Sequence, residues 1–281
     1  MKREKVFYFI FLLLALFSVV SVALICFFLF SKAAVTIKEI GFVNFIFKSV
    51  WKPTSGLYGI ASMIVASICV TLLSIIIALP LGGLCSIYLS FFAPKRIEKA
   101  ILTLVELLSG LPSIIFGFFA LMVIVPIMQN IFGGSGKGLL TSSILLSIMI
   151  TPTIITIFYS SFKASDSSLF LGSLALGESK EKTIFRLIIP SCKKALLSGL
   201  VMAMGRSIGE TMAVIMVAGN QALIPASVLS GVRTMTANIV LEMGYATGMH
   251  RDALITTGAV LFLFTLLINF TFSLLRGDKN K

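Results

Sequence analysis

Apolar residues run through this chain in six long blocks, separated by polar stretches of unequal length. The first is Val6 to Phe30. The second runs from about Gly59 to Phe92 and contains Pro80 and Gly82-Gly83. The third is Ile101 to Phe132, interrupted by Gly110, Pro112 and Pro126. The fourth is Leu139 to Phe162 with Pro152 inside, the fifth Leu196 to Gly219, and the sixth Ala253 to Leu275. Each exceeds the ~18 apolar residues that mark a membrane-crossing segment. Runs this apolar cross as helices, because hydrocarbon offers no partner to unpaired backbone groups. The second and third are longer than one crossing needs, which predicts tilt, a kink or an interfacial piece in each. The pattern predicts an all-α, polytopic membrane protein with six spans.

The basic residues give that pattern a direction. With the N-terminus inside, fifteen of the 23 lysines and arginines fall in inner segments and seven in outer ones, while Arg206 lies within a span. The inner excess predicts an N-in, C-in arrangement. Residues 1–58 then form a first span with its outer loop. Residues 59–275 form a core of five helices around a long inner loop at 163–194, and residues 276–281 form a cytoplasmic tail. Trp51 and Tyr58 sit near the end of the first outer loop, where aromatic side chains suit the interface.

Composition narrows the function classes. Charged residues make up 12% of the 281 positions, about half the share in soluble domains. The net charge of +12 follows from basic loops beside spans and does not indicate a nucleic-acid partner. The chain's partner surface is membrane lipid. Cys26, Cys69, Cys85 and Cys192 show no CxxC spacing, and His250 is the only histidine. No metal site or disulfide framework is indicated. The N-terminal MKREK and its apolar run are too long for a signal peptide and read as a retained span.

Two stretches carry chemistry. The first is the inner loop, where SSLFLGSLAL ends at Gly177, a residue type that terminates helices by adopting positive φ. Ser179 is placed to cap a second helical piece with Glu181 in its first turn. That piece carries Ile184, Phe185, Leu187 and Ile188 at helical spacing, followed by Ile189, and Pro190 ends it. The result is two short amphipathic helices at the inner surface, joined at a glycine. They either lie in the headgroups or form a knob for a cytoplasmic partner.

The second is GRSIGETMAVIMVAGN at 205–220, which places a guanidinium and a carboxylate inside hydrocarbon. Wound as one helix at about 100° per residue, Gly199, Gly209, Glu210, Ala213 and Asn220 share a face with Arg206. Val201, Met204, Ile208, Met212 and Ile215 fall on the far side, which suits lipid. Arg and Glu near midspan each cost ~2.5–3.5 kcal/mol on insertion scales, and such residues face a bundle interior or a wet path. Either the two form an i, i+4 pair that only neutralises itself, or they border a translocation path. In the second case Arg206 offers a planar fork of donors suited to phosphate oxygens, and Glu210 is its resting partner or gate.

These residues carry a resemblance. Gly177, with Leu187 ten residues later, Ile189 twelve later and Pro190 thirteen later, is similar in spacing to the coupling loop of bacterial ABC importer permeases. The family opens that motif with Glu-Ala-Ala, and here those positions read Leu171, Gly172 and Ser173. GRSIGETMAVIMVAGN, SGLPSIIFGFFAL at 109–121 and TANIVLEMGYATGMHRDALITTGAVLFLF at 236–264 resemble phosphate importer permeases of the PstC type. Together the similar pieces cover most of residues 100–275.

The resemblance implies a type I ABC importer permease fold in the bacterial cytoplasmic (inner) membrane, and a transport subunit rather than an enzyme. It implies substrate translocation along Arg206, Glu210, Gly209 and Asn220. It implies ATPase coupling through Gly177, Ser179, Ile184, Phe185, Leu187, Ile189 and Pro190. The implied partners are a second, homologous permease, a cytoplasmic ATPase dimer, and an extracytoplasmic phosphate-binding protein facing the 31–58 and 220–251 loops. No GxxxxGK[ST] loop is present, so ATP and Mg²⁺ would be bound by the ATPase and this chain would carry no cofactor. Two rivals stay open: a secondary anion transporter or channel working alone, and a non-transporting scaffold or sensor. Among weaker candidates, Glu106 is expected to snorkel to the interface. Arg233 and His250 are expected to be solvated in outer loops, and Thr234, Thr236 and Asn238 to lie at an outer mouth.

Overall fold

The computed structural model of the chain describes residues 2–277. It is almost wholly helical. Helix α1 (Lys2–Ile40) is followed by a short helix α2 (Phe42–Phe47) and a two-stranded antiparallel hairpin, β1 (Trp51–Lys52) and β2 (Leu57–Tyr58). Then come α3 (Ala61–Phe91), α4 (Lys95–Gly110), α5 (Ser113–Phe132, with a π-helical turn at Ala120–Ile124) and α6 (Leu139–Lys163). The 163–194 loop holds α7 (Ser167–Ala175) and α8 (Lys180–Ser191). The rest is α9 (Lys193–Gly209), α10 (Met212–Val217), α11 (Met235–Met243) and α12 (Gly248–Gly277). Of the tail expected at 276–281, residues 278–281 lie outside the described residues.

Helix α6 is the hub. It packs against α3, α9 and α4, while α1 lies along α12. The reason is visible in its sequence. Thr141, Ser142, Ser143 and Ser147 are buried beside Leu145, Leu146, Met149 and Ile150, and several of the hydroxyls donate to their own helix's carbonyls, as Ser143 does to Leu139 at 2.8 Å. Small polar residues with internally satisfied hydroxyls let neighbouring helices approach. The apolar stretch of α1, by contrast, is exposed on nearly all sides, which is the state of a helix surrounded by lipid or by another chain.

Three expectations from the hydrophobic pattern change. The third apolar block is two helices, because Leu111, extended at ψ 137° ahead of Pro112, separates α4 from α5. The residue before a proline is pushed out of the helical region. Helix α4 carries charges and exposes Glu106, so it reads as a surface helix leading into the span α5. The first helix runs on to Ile40, and the expected 31–58 loop is largely structured. The fifth block is interrupted, as described below. Among the described residues, five helices are long and apolar enough to cross singly, and a sixth span arises when α8 and α9, bent by 73° at Cys192, are joined.

Candidate functional site

Helix α9 starts at Lys193 and buries Gly199 and Ala203 against α6. A Cβ on Gly199 would lie 2.8 Å from Ile157 Cγ2, so only glycine allows this approach. Arg206 follows two turns later, about 20 Å along the helix from its start. It is half-buried, and its Nη1 donates to the Thr153 hydroxyl of α6 at 3.2 Å. The neighbouring Ser207 hydroxyl meets that of Ser74 in α3 at 3.0 Å. This turn of α9 is thus held against both α6 and α3, and Arg206 itself bonds α6.

The helix then stops. Glu210 adopts extended backbone angles (φ −69°, ψ 126°), Thr211 is also non-helical, and α10 begins at Met212. The continuous helix expected across 199–220 is not formed. Arg206 and Glu210 are not stacked at i, i+4, and the ion pairs of the described residues include none between them. The Glu210 carboxylate instead accepts from the Ala213 backbone N–H at 3.2 Å, satisfying an orphan donor at the start of α10. Its own carbonyl accepts from Thr236 at 3.3 Å. A break inside a span is tolerated where the freed backbone is buried in protein or lines a cavity.

The faces of the helix also differ from the expectation. Gly205 and Gly209 are exposed beside Met202, whereas Ile208, assigned above to the lipid side, is buried. Ending the helix at Gly209 removes the geometry on which that assignment rested. Asn220 lies beyond α10 with φ 53°. Its Nδ2 donates to the Ile215 carbonyl at 2.8 Å and its carbonyl accepts from Arg233. It belongs to the cluster around Arg233, apart from Arg206. Arg233 and His250 are not solvated: their side chains are 19% and 15% exposed, and both contact Glu242. Thr234, Thr236 and Asn238 are buried in the chain. Sequence reasoning missed Thr153 and Glu242. A threonine beside Pro152 in an apolar run gave no signal, while a lone acid in NIVLEMGY was a visible one.

In the 163–194 loop, Asp166 caps α7 by accepting from Ser168 N–H at 2.8 Å, which holds its carboxyl below the usual range. The Ser179 hydroxyl accepts from Lys182 N–H at 3.4 Å to cap α8. Gly177 turns the chain between them at φ 85°, a conformation costly for any residue with a Cβ. The Ser173 and Thr183 hydroxyls tie the two helices at 2.8 Å. Phe170 stacks on Phe91 at the end of α3. Ile184 and Ile188 are fully buried and anchor the loop to the bundle. Leu187 and Ile189 are half-buried. Phe185, Leu171 and Leu176 point outward, Leu176 being 90% exposed. Close by, Glu98 of α4 bonds the Tyr159 hydroxyl and pairs with Lys163 at 3.1 Å. The Tyr159 bond first, then Lys163, lowers the Glu98 carboxyl pKa.

A long apolar bundle, a two-helix inner loop hinged at glycine and a broken charged span form one constellation. Residues 78–277 match the family described as "Binding-protein-dependent transport system inner membrane component". The chain belongs to that family. This permease is 38% identical over 237 residues to the probable ABC transporter permease protein YqgH of Bacillus subtilis, covering 81% of this chain and 77% of that protein. It is 32% identical over 261 residues to the phosphate transport system permease protein PstC of Mesorhizobium japonicum, covering 85% and 80%. It is 30% identical over 264 residues to the probable PstC of Methanocaldococcus jannaschii, covering 86% and 84%. The permease is of the PstC type.

Its fold is that of type I ABC importer permeases. An inward-facing structure of the MetNI methionine ABC transporter aligns at TM-score 0.65 and 16% identity, over 83% of this chain and 100% of that one. A bacterial ABC transporter that imports alginate aligns at TM-score 0.63 and 14% identity, over 95% and 96%. The permease is a multi-pass inner-membrane transport component, not an enzyme.

Proposed function

We propose that this permease is a transmembrane subunit of an ATP-driven phosphate importer and forms the translocation path with a second, related permease. The observation that carries the reading is Arg206. It is half-buried within a span, has one bond to a neutral hydroxyl, and is not neutralised by a carboxylate within its own helix. A guanidinium held this way keeps donors for an oxyanion, and its fork matches tetrahedral oxygen geometry. The relatives named for phosphate transport supply the substrate class.

In this reading the chain crosses six times with both ends inside. The crossing between α6 and α12 is α9, extended past the break by α10, while α8, bent away at Cys192, belongs to the knob rather than to the span. The ATPase dimer binds ATP and Mg²⁺ and docks on α7 and α8, where Leu171, Leu176 and Phe185 offer apolar surface. Gly177, Ser179, Leu187, Ile189 and Pro190 set the shape of that knob, and Ile184 fixes it to the bundle. Motion of the knob reaches Arg206 through the bend at Cys192, because α9 is continuous from there to Gly209. Gly209 and Glu210 form the end of the helix that moves. Extracytoplasmic binding protein delivers phosphate at the outer loops, and the path alternates its access.

The test is radiolabelled phosphate uptake in cells lacking other phosphate importers, comparing wild type with Arg206→Gln and Glu210→Gln at matched membrane levels. Loss in Arg206→Gln is expected. Undiminished uptake in both variants would remove the pair from the transport cycle.

A further inference from the structure

At the outer ends of the spans lies a polar cluster that neither the Arg206 site nor the inner knob uses. Its centre is Glu242, on the last turn of α11 and 8% exposed. One carboxylate oxygen accepts from Arg233 Nη1 at 2.7 Å. The other accepts from the Trp51 indole N–H at 2.8 Å and lies 2.8 Å from His250 Nε2. Arg233 also donates to Asn238 Oδ1 at 3.1 Å and to the Asn220 carbonyl at 2.9 Å. The His250 ring sits among Trp51, Tyr58 and Tyr245, with centroids 6.1, 6.4 and 5.9 Å away. The β-hairpin, the strand of chain before α11, α11 itself and the start of α12 therefore meet on a single carboxylate.

Such a cluster is a costly way to hold loops together. Burying an ion costs several kcal/mol before its partners offset it, and apolar packing of the same volume often serves stability as well. What the cluster adds is connection. Asn220, which takes Arg233 on its carbonyl, also donates to Ile215 in α10. The first turn of α10 is capped by Glu210. A second line runs through α11: Thr236, in its first turn, bonds the Glu210 carbonyl, while Glu242, in its last, bonds Trp51. Helix α11 is nine residues long, a rigid strut of about 13 Å. Both lines start at the hairpin and end at the interruption above Arg206. A pocket of ≈ 450 Å³ lined by Pro53, Thr54, Tyr58, Tyr245 and His250 opens beside Glu242, so the hairpin end of the strut is the end that meets the outside.

We infer that Glu242 and Arg233 are positioning residues, which transmit the setting of the Trp51–Tyr58 hairpin to Glu210 and the broken end of α9. Load on the hairpin from a protein docking outside is then felt at the break, with no direct contact between that protein and the path. The inference rests on the importer reading above. It assigns the coupling to a contiguous hydrogen-bonded chain, and that claim is open to direct test.

The test uses the complete importer in lipid nanodiscs: both permeases, the ATPase and phosphate-loaded binding protein. ATP hydrolysis is measured with and without the binding protein. Trp51→Phe keeps the ring and removes only the N–H donor; Glu242→Gln removes the charge; Arg233→Lys keeps it. Hydrolysis without binding protein is expected to stay within about twofold of wild type, while stimulation by binding protein falls about fivefold or more in Trp51→Phe and Glu242→Gln, a coupling loss of ordinary allosteric size. Arg233→Lys is expected to retain part of the stimulation. An unchanged stimulation ratio in Trp51→Phe overturns the inference. So does a parallel fall in both rates with a lowered thermal midpoint, which is the mark of a purely structural role. Should Glu242→Gln fail to assemble, Trp51→Phe decides alone. A wild-type complex that neither imports phosphate nor responds to binding protein sinks the importer reading instead, and that is seen before any variant is made.

Discussion

Arg206 bonds Thr153 on a neighbouring helix at 3.2 Å, and not Glu210 four residues along its own chain. The two charges of this stretch therefore have separate partners. A hydrogen bond involving a charged group is worth about 1.5–3 kcal/mol, so Arg206→Gln should lower phosphate uptake by about tenfold or more at matched protein level. Arg206→Lys retains charge without the fork and should fall between. Thr153→Val frees the guanidinium of its resting partner and should change the apparent affinity of uptake more than the amount of protein. Wild-type uptake in Arg206→Gln would defeat this assignment.

Glu210 offers a sharper comparison. Its carboxylate accepts from Ala213 N–H, a task that glutamine's carbonyl oxygen can also perform. Loss of such a cap costs about 1 kcal/mol. If capping is its whole duty, Glu210→Gln retains uptake and Glu210→Ala loses membrane level and uptake together. The importer reading expects both to lose uptake, with only the alanine variant losing thermal stability. Detergent-solubilised melting alongside uptake separates the two outcomes.

Gly117 lies in α5 directly against α10. A Cβ there would stand 2.9 Å from Ala213 Cα and 2.8 Å from Met216 Sδ. The methionine can move, but the backbone cannot without shifting α10. Overpacking of this kind costs about 1–3 kcal/mol. Gly117→Ala should reduce uptake through the position of the break, although it touches neither charge. Uptake equal to wild type would show that α10 can shift freely.

The inner knob separates shape from contact. Ile184 is fully buried and Phe185 exposed, so Ile184→Ala should lower the thermal midpoint, with a cost of about 2–5 kcal/mol. Phe185→Ser should leave stability near wild type and reduce co-purification of the ATPase. Gly177→Val forces a branched residue to φ 85°, costs about 1–2 kcal/mol, and should weaken ATPase capture by misplacing α8. Normal capture in both Phe185→Ser and Gly177→Val would remove the docking assignment.

Acid should loosen the same surface. The Glu98 and Asp166 carboxyls are both held below their ordinary range in the folded chain. A carboxyl with a lowered folded pKa contributes stability that is complete above its unfolded value and is lost as pH falls through the folded one. The contribution is therefore full above about pH 5 and fades below about pH 4. Thermal midpoints measured from pH 6 to pH 3.5 should fall less steeply in Glu98→Gln than in wild type. Parallel curves would mean that the contact of α4 with α6 does not depend on that charge.

The hydrophobic pattern made the bundle legible, since apolar length alone locates α3, α5, α6 and α12. It failed where geometry depends on a local choice between backbone states. In GRSIGETMAV only Gly209 hints that the helix will stop before Glu210, and a single glycine inside an apolar span is a weak signal; the bond from Thr236 to the Glu210 carbonyl is one that the sequence does not announce. The knob was readable because its signals are local: a glycine that turns the chain at a positive φ and a serine at a cap; the Asp166 cap is just as local and was passed over. The cluster around Glu242 was not readable, because Trp51 and Glu242 lie 191 residues apart, and no single-chain periodicity connects positions so far removed.

The interruption at Glu210 and Thr211 has a bearing on how the path can be mapped. Where a helix stops, its last carbonyls and the next helix's first amides lose their intrahelical partners, and they are carried by every amino acid alike. Substituting side chains one at a time leaves those groups in place. A scan of that kind will record Arg206 and Glu210 and pass over the polypeptide itself. Replacing single peptide links by esters at 208–213, which deletes one main-chain donor while keeping every side chain, would show whether the main chain there takes part in transport.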